Sequence, residues 1–337
     1  MDVEGSKFPI SHIESSAMNK VLQATFKRIL VTGATGFLGH HIVPALKSNF
    51  AAEIVAVGRK DYDLLKPGVP ERMLAEVRPD CVVHLAAKSG GILDNRRKQA
   101  DYYYENIAIN THVFHAASAG GVKKFLSLMG GCSYPADAPS PIGEEQMWNG
   151  FPQIESAGYS MAKKMLLVQS WTYRQQHGFN SVILVPGNVY GEWDNFNLVQ
   201  AHAIPALIRK CVEAGEKKLP FITAFGTGRP IRDFVYAGDV AALIPWFLAE
   251  YDSSEPINIS TGAGITIREL IEAVKKAAGY AGKVNWDTTQ PDGQLEKIFG
   301  ATRLHKLGLK CPTPLEEGLK KTVEWFKANR AKGIVRL

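Results

Sequence analysis

The sequence predicts an α/β protein, a doubly wound parallel sheet of the Rossmann type followed by a smaller, less regular C-terminal lobe. Two observations carry the prediction. From Lys27 to about Pro186, short apolar runs alternate with longer amphipathic ones, the pattern of strands and crossover helices. Directly after the apolar run Ile29-Leu30-Val31 comes Gly33-Ala34-Thr35-Gly36-Phe37-Leu38-Gly39, a glycine spacing that joins a first strand to a first helix in such folds.

The predicted strands are Arg28–Thr32, Glu53–Val57, residues 81–86, Lys124–Leu128 and Ser181–Pro186. Their near-continuous apolar character fits parallel strands covered on both faces. Predicted helices lie between them at 39–48, Val69–Val77, 106–119 and 157–176. Beyond Gly187 a helix is expected over 202–214, then the punctuated stretch Phe225-Gly226-Thr227-Gly228-Arg229-Pro230. A helix over 238–249, a strand Ile257–Ile259 and a helix Ile267–Ala278 follow. The expected division is a polar N-terminal extension over 1–26, a nucleotide-binding domain over 27–187 with part of 230–262, and a ligand-covering lobe over 188–229 and 263–337.

Bulk properties narrow the function. The 337 residues are 45% hydrophobic and 21% charged, as in ordinary globular proteins, and long enough for a well-buried core. The net charge of +6 comes from dispersed Lys and Arg, which argues against nucleic acid and is consistent with a phosphorylated small molecule. No apolar stretch approaches the ~20 residues of a membrane span. The cysteines Cys81, Cys132, Cys211 and Cys311 are far apart without metal-ligand spacing, which suits free thiols in a reducing, cytoplasmic setting and no bound metal.

In the glycine loop, Gly33 permits the tight turn, Gly36 lets backbone approach a pyrophosphate, and Gly39 permits close helix–strand packing. The helix N-terminus then offers N–H groups and a positive dipole end. After the second strand the chain reads Gly58-Arg59-Lys60, with no acid to bind a ribose 2′-hydroxyl. Arg59 and Lys60 suit a 2′-phosphate, so NADP is favoured over NAD, although a solvated loop charge is the alternative for Arg59. Asp63 and Leu64 fall where the adenine edge is expected.

Tyr159 and Lys163, four residues apart, share one helix face. A neighbouring ammonium favours the phenolate, so Lys163 is expected to lower the Tyr159 pKa and to hydrogen-bond the nicotinamide ribose. With the glycine loop upstream, the pair reads as a hydride-transfer site rather than a surface contact.

Several further segments, in order, make the chain resemble the extended short-chain dehydrogenases/reductases and, within them, the GDP-L-fucose synthase family. They are Ala86-Ala87-Lys88-Ser89-Gly90-Gly91-Ile92, Gly131-Cys132-Ser133-Tyr134-Pro135 and Pro186-Gly187-Asn188-Val189-Tyr190-Gly191. Asp194-Asn195-Phe196-Asn197, His202-Ala203-Ile204-Pro205, Arg232-Asp233-Phe234-Val235 and Pro291-Asp292-Gly293 extend the match. The resemblance implies a GDP-4-keto-6-deoxy-mannose 3,5-epimerase and NADPH-dependent 4-reductase that forms a homodimer. It implies Tyr159 and Lys163 for reduction, and Cys132 and His202 for proton exchange at C3 and C5. It further implies cofactor contacts from Thr35, Phe37, Leu38, Ala86, Ala87, Lys88, Asn106, Pro186, Asn188 and Val189. The implied substrate contacts are Lys88, Asn188, Asn195, Arg209, Phe225, Arg232 and Asp292. Structural alternatives stand beside some of these: a free cysteine is often a small buried hydrophobe, an isolated histidine is often structural, and Lys88 could cap a loop. Arg232 suits a diphosphate, which a guanidinium grips through two parallel hydrogen bonds.

Two departures from the family pattern stand out. Gly130 occupies the position where the resemblance expects a serine that hydrogen-bonds the substrate carbonyl. After Asp292-Gly293, Glu296-Lys297 appears where two basic residues are expected. The first leaves open a related enzyme with weakened reduction or another 4-keto sugar, and a non-catalytic NADP-binding protein is the alternative from another class.

Overall fold

A computed structural model describes residues 26–289 and 292–337, so the expected N-terminal extension, save Phe26, lies outside the described residues. The centre is a six-stranded sheet built from β1 (Arg28–Thr32), β2 (Glu53–Val57), β3 (Cys81–His84), β4 (Lys124–Leu128), β5 (Ser181–Pro186) and β10 (Ile257–Ile259), in the order β10-β5-β4-β3-β1-β2. Every neighbouring pair is parallel. Chain order reverses at β1, which pairs with β2 on one side and β3 on the other. The crevice at the carboxyl ends of β1 and β3 is therefore the switch point where such sheets bind ligands.

Helices α1 (Phe37–Asn49) and α7 (Ala237–Glu250) pack together on one face. On the other lie α2 (Val69–Val77), α4 (Gln99–Ala119) and α5 (Ala157–His177). Alternation along β1 divides the two cores: Ile29 and Val31 join Ile42, Leu46, Val240 and Phe247, while Leu30 joins Val82, Phe114, Phe125 and Leu166. Leu304, from the short helix α9 (Thr302–Lys306), and Leu309 also enter the first core.

The sequence places the start of α4 at residue 106, but the helix begins at Gln99. Its buried face includes Asn106 and Asn110 among Tyr102, Val113 and Phe114, so polar residues interrupt the apolar stripe that would have revealed its first two turns. The six-residue helix α3 (Ile92–Arg97) is too short to show a helical period.

The C-terminal lobe has its own core around Tyr190, Phe196, Ile208, Ile271, Val274, Val323 and Phe326. It contains α6 (Ala203–Glu216), α8 (Ile267–Ala278) and α10 (Leu315–Asn329). The small strands are β6 (Asn188–Tyr190) with β9 (Phe234–Tyr236), β7 (Phe221–Phe225) with β12 (Lys283–Asp287), and β8 (Ile231–Arg232) between β11 (Ile265–Thr266) and β13 (Glu296–Lys297). A capping box, in which Thr266 and Glu269 each accept the other's backbone N–H, starts α8. No helix among the described residues is long and apolar enough to cross a membrane.

Candidate active site

The glycine loop spans the switch point. Gly33 has φ +67°, and a Cβ there would lie 2.6 Å from the Ala86 nitrogen at the end of β3. A Cβ on Gly39 would stand 2.2 Å from the Ala34 carbonyl oxygen, so α1 approaches the loop as only glycine allows. Gly36 caps α1 with no side-chain hydrogen bond, and the first turn carries no acid. Its leading N–H groups and positive dipole end are thus left to an external anion, a cradle that fits a dinucleotide pyrophosphate. Thr35, Phe37 and Leu38 lie on this turn.

At the end of β2, the Gly58 N–H donates to the Asp61 carboxylate at 2.8 Å, so the nearest acid is turned onto backbone. The Arg59 side chain, just after β2, is 72% exposed, with Nε 3.7 Å from the Asp63 carboxylate. Asp63 is thus Arg59's partner. Leu64 joins the core with Val57 and Met73, which leaves its side chain little free to meet adenine.

Beyond β3, Ala86 and Ala87 continue along the crevice. Asn106 is fully buried: its amide donates to the carbonyls of Lys88 and Tyr102, and its oxygen accepts from the Lys88 N–H at 3.1 Å. The expected cofactor ligand is therefore a brace for the Ala86–Lys88 loop, because every polar atom of its side chain already serves backbone. Lys88 is engaged as well, donating to Glu105, lying 3.7 Å from Asp101 and resting over the Tyr102 ring. Pro186 is buried at the end of β5, and Asn188 donates to the Asp233 carbonyl at 2.8 Å, with Val189 beside it.

Tyr159 and Lys163 project from the first turns of α5 toward the loop after β4. Lys163 is buried, and its ammonium donates to the Leu128 carbonyl at 3.1 Å. Burial draws its pKa down to about 8, against the opposing influence of Cys132. Tyr159 shifts the other way from the expected depression: burial, then the nearby Cys132 and Tyr102, hold the phenol above its ordinary range. The expected lowering fails because the ammonium is anchored on backbone while the phenol is desolvated. The phenol therefore carries its proton at neutral pH.

Cys132 lies on a short turn, Gly131–Ser133, between β4 and α5. Gly130 has ordinary extended backbone, φ −94° and ψ 143°. A Cβ built there would be 3.1 Å from Cys132 Sγ, 3.2 Å from Tyr159 Cε1 and 3.5 Å from the Tyr159 hydroxyl oxygen. The missing serine side chain would thus stand between thiol and phenol. No neighbouring serine fills the gap, since Ser127 donates to the His84 carbonyl and Ser133 to the Ser160 carbonyl. Gly131 is constrained differently: a Cβ there would lie 2.3 Å from the buried Phe299 ring.

The C-terminal lobe supplies the facing wall. His202 is the exposed N-cap residue of α6 and follows a loop of side-chain-to-backbone bonds from Asp194, Asn195 and Asn197. The Gly91 N–H donates to the Gln200 carbonyl at 2.7 Å, tying this loop to the Rossmann half. Asp194 is buried, with Oδ2 lacking a hydrogen-bond partner; burial pushes its pKa up to about 6, with His202 opposing.

Arg209 has internal partners, pairing with Glu213 at 2.7 Å and donating to the Phe196 carbonyl. Asp292 likewise accepts from the Thr227 N–H and hydroxyl at 2.6 Å, which ties two loops together. Phe225 is 54% exposed, and the Lys210 ammonium sits 5.2 Å above its ring, an apolar and cationic platform that sequence reading met only in part. Arg232, on β8, has Lys297 of β13 as its register partner. The departure read in the sequence here is Glu296, while Lys297 keeps one of the two expected basic residues.

The comparisons agree with this geometry. Residues 29–260 match the NAD dependent epimerase/dehydratase family model. The chain is 37% identical to a GDP-L-fucose synthase of Sinorhizobium fredii, an alignment covering 90% of this chain and 97% of that protein. A GDP-L-fucose synthetase from Naegleria fowleri, solved bound to NADP, superposes with a TM-score of 0.85 at 30% identity, covering 92% of this chain and 95% of that one. A GDP-6-OMe-4-keto-L-xylo-heptose reductase from C. jejuni superposes equally well, TM-score 0.85, at 25% identity over 91% of this chain and 99% of that one.

Proposed function

This chain belongs to the NAD dependent epimerase/dehydratase family, and we propose that it is an NADP-dependent epimerase/reductase of a GDP-4-keto-6-deoxy-hexose, with GDP-4-keto-6-deoxy-mannose as substrate. The observation that carries this reading is the convergence of Cys132 and Tyr159 on one point, the space beside Gly130. A ketone at C4 acidifies the protons on C3 and C5. The Cys132 sulfur removes such a proton on one face of the ring and His202 returns one on the other, passing through an enolate. When bound, NADPH supplies the hydride that reduces the ketone carbon. Tyr159 donates its phenolic proton to the ketone oxygen, and Lys163 would hydrogen-bond the nicotinamide ribose. The α1 N-terminus receives the pyrophosphate, Arg59 the 2′-phosphate and Arg232 the GDP diphosphate.

Free cysteines and mild net charge support a cytoplasmic setting. The exposed apolar faces of α4 and α5 support a homodimer. Gly130 also favours a second reading, reduction or epimerisation of a different GDP-4-keto sugar, because removing one carbonyl donor costs about 10²–10³ in rate. A single incubation separates the two. With GDP-4-keto-6-deoxy-mannose and NADPH in deuterated water, the first reading expects loss of nicotinamide absorbance and deuterium at C3 and C5. Label without NADPH oxidation favours the second. Neither signal removes this substrate.

A further inference from the structure

We propose that Asp194 is a positioning residue for His202: its unpartnered carboxylate oxygen accepts one ring N–H of the histidine, so that the opposite ring nitrogen faces the sugar carbon being reprotonated. This rests on reading the site as that of a 4-keto-sugar epimerase/reductase, in which His202 returns a proton to C3 or C5. A neutral imidazole carries its proton on either nitrogen, and its ring turns about the side-chain bonds. A histidine that must deliver a proton to one face of a sugar needs a partner that fixes both.

His202 is exposed, and among the described residues no hydrogen bond holds its ring. Asp194 is the reverse case: it is 3% exposed, Oδ1 accepts the Asn195 N–H at 2.7 Å, and Oδ2 is buried without a partner. Leaving a buried carboxylate oxygen unmade is costly, which marks it as a group kept for another task. Between the two residues the chain folds back on itself. The Asn197 N–H donates to the Asn195 side-chain oxygen at 3.0 Å, the Ala201 N–H to the Asn197 carbonyl at 2.7 Å, and the Asn195 amide to the Gln200 side chain at 3.5 Å. Asp194 and His202 therefore stand at the two ends of a pinched loop. His202 is also the charged group that acts most strongly on the Asp194 carboxyl, ahead of Arg336. Arg336 is committed elsewhere, donating to the Trp193 carbonyl at 2.8 Å.

The turn that sets the carboxylate is itself held under strain. Trp193 has φ +67°, a left-handed conformation that a bulky side chain adopts only at a cost. Its ring lies between His40 of α1, stacked at 3.9 Å, and Trp325 of α10 at 5.0 Å. The Phe196 N–H donates to the Arg336 carbonyl at 2.8 Å. Both halves of the molecule thus grip the residue before Asp194, which fixes where the carboxylate stands. Burial raises its pKa to about 6, so it is ionised at neutral pH. A carboxylate behind an imidazole stabilises the imidazolium and, once the proton has left, holds the tautomer whose bare nitrogen faces the substrate. No hydrogen bond joins the two side chains in this structure, and catalytic hydrogen bonds of this kind tighten when substrate binds. The proton balance is simple: the Cys132 sulfur takes the sugar proton, the carbon gains the His202 proton on the other face, and Asp194 neither gains nor loses one.

The test compares wild type, Asp194→Asn, His202→Gln and the double variant, each with GDP-4-keto-6-deoxy-mannose and NADPH in deuterated water. Inverted product and deuterium at C3 and C5 are read separately, with NADP⁺ affinity as the check on folding. The expected result is a kcat for inverted product lower by about 10²-fold in Asp194→Asn, with KM and NADP⁺ affinity unchanged. Label should still enter without inversion, since Cys132 returns a solvent-exchanged proton to the face it was taken from. In the His202→Gln background, Asp194→Asn should have no further effect, because a residue that acts through His202 has nothing left to act on. An equal loss in both backgrounds overturns the proposal and leaves Asp194 a structural group of its loop. A raised KM with kcat intact overturns it as well. Should Asp194→Asn not fold, wild-type protein decides by ¹⁵N NMR of the His202 ring, saturated with NADP⁺ and GDP at a pH where the ring is neutral. A single tautomer supports the proposal, and the mixed tautomers of a free imidazole overturn it. Wild-type protein that neither oxidises NADPH nor labels the sugar removes the substrate reading and this inference together, whereas the preceding adverse outcomes remove this inference alone.

Discussion

Tyr159 and Cys132 lie against the same glycine yet serve different steps, and single substitutions should separate them. Tyr159→Phe removes only the phenolic proton donor, so NADPH oxidation should fall by about 10²–10⁴-fold, while solvent deuterium still enters C3 and C5. Simultaneous loss of both signals would mean that the phenol also serves the epimerisation. His84 offers a prediction on stability. Its ring is buried, sharing hydrogen bonds with Thr32 at 2.8 Å and Asn110 at 3.3 Å, and burial pushes its pKa from 6.5 down to about 3. The folded form thus binds fewer protons than the unfolded one between those values. Its contribution is full above pH 6.5 and is lost as pH falls toward 3. Asp194, raised to about 6, works in the opposite sense, favouring the folded form as pH falls through 6. The comparison must therefore be differential: the melting temperature of His84→Gln should fall less steeply with acid than that of wild type. Parallel slopes would sink the assignment. At this scale, local spacing was enough to find residues that the fold brings to the crevice, such as Gly33 against Ala86, and Tyr159 and Lys163 against the loop after β4. The internal partners of Asn106, Arg209 and Asp292 could not be read there, because nothing local shows that an amide, a guanidinium or a carboxylate meets the Lys88 backbone, Glu213 or Thr227.

The elements that were legible are the ones whose surroundings are uniform. β4 and β5 are buried along their whole length, so their near-continuous apolar runs, Phe125, Leu126 and Leu128 in one and Val182 to Val185 in the other, were enough to identify them. β7 alternates exposed and buried residues, but its exposed Phe221 and Phe225 are as apolar as its buried Ile222 and Ala224, so no alternation shows in the sequence, and β13 is only two residues long. The place of Lys297 beside Arg232 was hidden for the same reason, since it depends on a pairing of Glu296–Lys297 with Ile231–Arg232 that only the folded lobe creates. The junction of β1 and α1 is the opposite case, since each glycine there has a geometric reason to be glycine. Gly39→Ala would put a methyl group 2.2 Å from the Ala34 carbonyl oxygen. The helix must then retreat from the loop, a strain of about 1–3 kcal/mol of the kind overpacked contacts produce. Because the α1 N-terminus is the proposed pyrophosphate site, the Kd for NADP⁺ in a calorimetric titration should rise about tenfold or more. An unchanged Kd would show that phosphate binding does not depend on this close approach.

At the scale of the whole molecule, the Rossmann half covers one side of its sheet with α4 and α5, which pack tightly on each other, Gln169 donating to the Thr111 carbonyl between them. Their outer faces are left in water with Tyr104 65% exposed, Trp171 54% and Val168 39%. Two 21-residue helices are each roughly 30 Å long and together about 20 Å wide. The face they present, on the order of 600 Å², approaches the ~800 Å² that each partner commits to a standard interface. The active site opens elsewhere, at the carboxyl edge of the sheet, so pairing through these helices leaves the crevice and the C-terminal lobe free. A second copy of the same face, related by a two-fold axis, would bury all four helices as a bundle. In such an isologous contact every substitution acts twice. Trp171→Glu should therefore place two carboxylates in an apolar interface and convert a dimer to a monomer in sedimentation at micromolar concentration. NADP⁺ affinity should persist, since Trp171 lies on the outward face of α5. A wild-type chain that sediments as a monomer would end the dimer proposal, and a Trp171→Glu variant that stays dimeric would move the interface to another face.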